Sequence, residues 1–179
     1  MAELTSIQEN LILHWGEMGS AWGINRATAQ IYALLYLSPQ ALNADEISST
    51  LSIARSTVST GLRELQNWGL VRVVPVLGER RDYFEALEDV WEMFQIILRE
   101  RKRREFDPTL DTLRQSAAEM KANDQVDPFV QERLESMLSF FEAASTVYDQ
   151  VAELPLDMLI KMAEVGGKLS KMLRVIAQE

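Results

Sequence analysis

Apolar positions recur at helical spacing up to Trp68, alternate in twos from Leu70 to Val76, and return to helical spacing beyond Glu88. The first stretch predicts four helices. Thr5 with Gln8 makes a capping-box start, and Ile7, Leu11, His14, Trp15 and Met18 then share one face. This predicts a helix from Thr5 to Met18 with that face buried or at an interface, punctuated by Gly19 and Gly23. Asn25 caps a second helix running to Leu37, with Ile31, Leu34 and Leu35 inward and Pro39 as its stop. Asn43, with Glu46 three residues on, begins a short helix over 44–51. A tight break at Ser52–Ala54 separates it from a longer helix over 55–68, which Gly69 closes.

The alternating run LVRVVPV, a Gly-containing loop and DYFEAL predict a β-hairpin, with Pro75 at an edge or a strand end. Helices are expected at 89–105, 108–122, 128–152 and 156–177, since Pro108, Pro128 and Pro155 all fall near helix starts. The polar stretch 118–127 reads as a flexible joint. Met137, Leu138, Phe141, Ala144, Tyr148 and Val151 recur at helical spacing, as do Leu159, Met162, Ala163, Leu169, Leu173 and Ile176. These are amphipathic helices that need a partner surface, and a homodimer supplies one. Gly166 and Gly167 fall mid-helix, where a close helix approach or a kink would account for them.

A short helix, a tight turn, a longer helix and a β-hairpin together spell a winged helix-turn-helix. Ile47 and Leu51, Ile53 at the turn, and Val58, Leu62 and Leu65 form its expected buried set, with small Ser48 letting the two helices cross closely. The fold class is therefore mainly α: a three-helix core with a β-hairpin wing over 1–87, and a C-terminal helical dimerisation region with room for an effector over 88–179. Burying that set fixes the outward face of the longer helix as Arg55, Ser56, Thr57, Ser59, Thr60 and Arg63. Such a face suits a major groove, where arginine pairs with guanine and hydroxyls reach phosphates or base edges. The helix N-terminus favours a phosphate as well. Arg80 and Arg81 at the wing tip suit a minor groove, or else pair locally with Glu79, Asp82 or Glu85.

Charge sharpens this reading. The net charge is −9, which argues against coating nucleic acid by bulk attraction. Yet from Arg55 to Arg81 there are five arginines and only two acids, Glu64 and Glu79, so the charge is polarised along the chain. A second basic run, Arg99 and Arg101–Arg104, reads as locally paired with Glu100 and Glu105 or as further phosphate contacts. The absence of cysteine excludes disulfides, zinc-thiolate sites and cysteine nucleophiles. One histidine, His14, cannot build a histidine metal site or a catalytic triad. With no phosphate-binding glycine loop or nucleophile elbow either, no enzyme activity and no cofactor are expected. The acidic N-terminus and the lack of a membrane-length apolar run predict a cytoplasmic protein.

RSTVS, LRELQNWGLVR and GERRDYFE carry a resemblance to the winged-helix domain of MarR-type regulators, closest to the GbsR/MarR-like branch, over residues 25–100. The resemblance implies a homodimeric cytoplasmic regulator that binds double-stranded DNA, often as a repressor, and in some members responds to choline-type osmoprotectant precursors. Trp91, Phe94, Phe106, Phe129, Phe140, Phe141 and Tyr148 are the aromatic faces available for such a cation. Ala54 departs from the pattern, standing where a capping Ser, Thr or Asp is expected. The alternative is a winged-helix protein-interaction module. The hydroxyl-and-arginine face speaks against it, because an adaptor would expose apolar residues there.

Overall fold

The computed structural model describes residues 4–122 and 127–176, with 167–176 described by their backbone alone. The described chain is mainly helical, with α1 (Ser6–Ala21), α2 (Arg26–Tyr36), α3 (Ala44–Leu51) and α4 (Arg55–Trp68) preceding the hairpin. The sheet strands are β1 (Leu42–Asn43), β2 (Val71–Val74) and β3 (Tyr83–Ala86); α5 (Val90–Arg101), α6 (Asp107–Lys121), α7 (Pro128–Ala152) and α8 (Leu156–Ile176) follow. Two compact units result, 1–97 and 98–179. The division falls within α5, because Met93 and Ile97 belong to the core of the first unit.

Local chemistry sets the helix starts. Thr5 and Gln8 form the capping box of α1, and Asn43 and Glu46 form that of α3. Asn25 accepts from Ala27 and Thr28 at the start of α2. Gly69, with φ 80°, ends α4 in the left-handed conformation that glycine adopts without steric cost. Between α3 and α4 the same conformation falls to Ser52, with φ 53°. Ser48 does more than allow a close crossing: its hydroxyl donates to the Ile53 carbonyl at 2.7 Å and ties the turn together.

The core of the first unit is built on Ile31, Ile47, Val58, Leu62 and Leu65, closed by Leu70, Val71 and Phe84. Leu51 and Ile53 are half-buried against it. Trp68 packs against this core as well. The fully buried side of α1 is not its apolar stripe. Ile12, Gly16 and Gly19 are buried, while Ile7, Leu11 and His14 are exposed. Close approach to α2 decides it. A Cβ on Gly19 would lie 2.5 Å from that of Ala29, so this glycine is a packing residue inside α1, and Gly23 follows the helix end.

β1 is a strand that the sequence pattern did not announce. It pairs antiparallel with β3, giving the order β1-β3-β2, with Leu42 opposite Phe84. In the hairpin Arg72 stands opposite Glu85 and is ion-paired to it. Pro75 directly follows β2, where no ladder hydrogen bond is lost.

In the second unit, the expected break before Pro108 is replaced by a π-helical turn, Lys102–Phe106, joining α5 to α6 without interruption. The Asp107 amide bonds the Lys102 carbonyl, five residues back. Pro108 has no N–H to give, and the widened register falls just ahead of it. Of the polar joint expected over 118–127, residues 123–126 lie outside the described residues; α6 continues to Lys121, and Asp127 caps α7 by accepting from Phe129 at 2.8 Å. Leu110, Leu113 and Ala117 of α6 are buried, and α7 packs along that helix. Leu169, Leu173 and Ile176 lie outside the described side chains. Gly166 has open space around its Cα rather than a close helix neighbour. Among the described residues no helix is long and apolar enough to cross a membrane.

Candidate nucleic-acid interface

α4 is held from one side only. Val58, Gly61, Leu62 and Leu65 are buried, and a Cβ on Gly61 would meet Ile31 Cδ1 at 2.7 Å, so α4 lies closely against α2. Geometry then leaves Arg55, Ser56, Thr57, Ser59, Thr60 and Arg63 exposed together on the opposite side, with no apolar side chain among them. Glu64, the acid next in sequence, is turned inward, where its carboxylate accepts from the Thr28 hydroxyl at 3.2 Å.

Arg55 is the first residue of α4, and its guanidinium is ion-paired with Asp45 in the first turn of α3. Sequence reasoning missed Asp45, because an acid at that position reads as an ordinary helix-dipole residue. Ala54 provides no side-chain cap, so the first N–H groups of α4 lack a side-chain acceptor there. Arg63 enters no ion pair among the described residues.

The wing tip turns at Gly78, φ 83°, and the Glu79 amide bonds the Val76 carbonyl at 3.1 Å. Arg80 and Arg81 are both exposed. Arg81 bonds Glu79 at 3.1 Å, and that hydrogen bond raises its pKa further above the already high arginine value. Arg80 is without a partner among the described residues.

The match to known proteins falls on this segment. Residues 22–82 fit the model of the MarR family. The HTH-type transcriptional repressor GbsR of Bacillus subtilis (strain 168) is 21% identical over 136 residues, covering 74% of this chain and 75% of that protein. A solved structure, described as a transcriptional regulator, superposes with a TM-score of 0.59 at 20% identity, covering 82% of this chain and 95% of that one, and shares the fold.

The basic run after the wing is largely paired. Arg103 bonds Glu100 at 2.6 Å, Arg101 bonds Glu105 at 3.0 Å, and Lys102 bridges Asp107 at 2.9 Å and Asp149 at 3.3 Å. The seven aromatic candidates do not form one cage. Trp91 and Phe94 contact each other at 5.5 Å in α5, and Phe129 is exposed with Arg133 over its ring. Phe106 and Phe141 meet at 4.8 Å and, with Tyr148, line a cavity of about 550 Å³ in the second unit. There the cation over the Tyr148 ring is the chain's own, the Lys102 ammonium at 5.6 Å.

Proposed function

We propose that the protein is a homodimeric, cytoplasmic, sequence-specific DNA-binding repressor acting on a near-palindromic operator. Two copies present their α4 helices about one DNA turn apart, as dimeric helix-turn-helix proteins do. Arg55, Ser56, Thr57, Ser59, Thr60 and Arg63 enter the major groove, and Arg80 and Arg81 reach the minor groove or the backbone. The observation that carries this reading is the face of α4: every side chain left exposed there from Arg55 to Arg63 is a hydroxyl or an arginine. The Bacillus subtilis relative is a repressor, which supports repression as the sense of control. Exposed apolar residues along α7, Phe140 and Val147 among them, support dimerisation.

A small effector completes the reading, and the cavity lined by Phe106, Phe141 and Tyr148 supports one. The resemblance implies a choline-type compound. Titration calorimetry with choline tests that, and an absence of heat removes it.

The deciding experiment is fluorescence anisotropy against the gene's own upstream DNA and an unrelated duplex, across a salt series. Submicromolar binding that favours the upstream fragment and weakens steeply with salt is expected. Equal and feeble binding to both, repeated with selection from a random DNA pool, favours the protein-interaction module instead.

A further inference from the structure

The pairing of Arg55 with Asp45 bears directly on the proposed interface. Asp45 lies in the first turn of α3, a helix whose start is fixed by the Asn43–Glu46 capping box, so its carboxylate projects from a rigid element. Arg55 opens α4, and both side chains remain about half exposed, within reach of a ligand arriving from solvent. At this end of α4, Asp45 is the acid paired with an arginine of the DNA-facing set; Arg63, two turns on, has no such partner. A carboxylate and a phosphate or guanine edge present similar acceptor oxygens to a guanidinium, and one guanidinium fork cannot serve both fully. We infer that Asp45 is a built-in competitor of DNA: it occupies Arg55 in the free protein and limits the affinity that Arg55 contributes on DNA.

The inference rests on the DNA-binding reading above, and the two fail in different ways. If wild-type protein does not bind the upstream duplex, that reading fails and Asp45 has nothing to compete with. If wild-type protein binds, the double-mutant cycle of Asp45 and Arg55 decides.

Asp45→Asn keeps the shape and removes the acceptor charge. By anisotropy it is expected to tighten operator binding roughly two- to five-fold, the scale of an exposed ion pair. In an Arg55→Ala background the same substitution should give no gain. A general relief of repulsion from phosphates would behave otherwise: the gain would persist without Arg55, and Asp82→Asn at the wing would give as much. Either a persistent gain in the Arg55→Ala background or unchanged affinity of Asp45→Asn overturns the inference. Thermal melting of each variant accompanies the binding data. A variant that melts early is replaced by Asp45→Ser, for which the same two outcomes decide.

Discussion

Each exposed arginine of the interface has a distinct electrostatic setting, so each makes a separate prediction. Arg63 projects from the middle of the polar face of α4 and has no ion pair to break. Replacing it with alanine should cost about 1–3 kcal/mol on the operator and much less on unrelated DNA, because a base contact carries the sequence information. Parallel titrations on both duplexes check this, and equal losses would move Arg63 from base to backbone. Arg80 stands at the wing tip without a partner among the described residues. Arg80→Ala should weaken both duplexes alike and reduce the salt slope by about one unit. An unchanged slope removes it from the phosphate contacts. Arg81 gives a weaker expectation, because its partner Glu79 would be left behind as an unpaired acid. The exposure of the six α4 side chains, Arg55, Ser56, Thr57, Ser59, Thr60 and Arg63, was legible in the sequence because apolar spacing fixes which side of α4 is buried. Asp45 was not, since its importance comes from a contact between two helices that no spacing rule encodes.

At the scale of elements, legibility followed the strength of local signals. Capping residues placed the starts of α1, α2, α3 and α7 at the expected positions, because each side chain bonds an amide two or three residues away. β1 escaped because two residues are too few for any period, and its pairing partner lies some forty residues on. The π-helical turn escaped for the opposite reason: Pro108 signals a helix start, and the chain instead keeps its helix running by changing register ahead of it. On α1 the apolar stripe does not mark the most buried side. Gly16 and Gly19 carry no hydrophobic signal, yet they are the residues against which α2 closes. Gly19→Ala therefore makes a sharp prediction. The new methyl would sit 2.5 Å from Ala29 Cβ, which is attached directly to the α2 backbone and cannot swing aside. Destabilisation of about 1–3 kcal/mol is expected from such overpacking, despite alanine's better helix propensity. Urea unfolding measures it; a stabilised variant would mean that α1 and α2 sit farther apart. Ala54→Ser tests the other end of the scale. It supplies the missing cap of α4 and should stabilise by about 0.5–2 kcal/mol in the same assay.

For the whole molecule the proposed function must account for how a chain with a net charge of −9 would grip DNA. One winged helix offers few phosphate contacts, so the proposed function calls for two joined copies, and the exposed apolar side chains of α7 are the surface we propose for joining them. The row expected on one face of α7 divides between two, and the exposed part is joined by Phe140 and Val147, which the row did not include. Leu138, Phe141 and Tyr148 are half-buried, while Met137, Phe140, Val147 and Val151 are exposed on a neighbouring side. The exposed four are spaced by three, seven and four residues, which keeps them on one stripe of the helix and matches a coiled-coil seam. α7 has no fully buried residue of its own, so the stripe has little role within the chain. Phe140→Glu with Val147→Glu should therefore cost the isolated fold little, since these side chains are 66% and 58% exposed. The double variant should sediment as a monomer with its helical content unchanged. Losing the linkage between half-sites should then weaken operator binding by roughly a hundred-fold or more, while contacts to a single half-site persist. A variant that stays dimeric would shift the interface to another exposed apolar pair, such as Ile7 and Leu11 of α1. Since α1 packs on α2 and α2 on α4, dimerisation there would tie the spacing of the two DNA-reading helices to the winged-helix core itself.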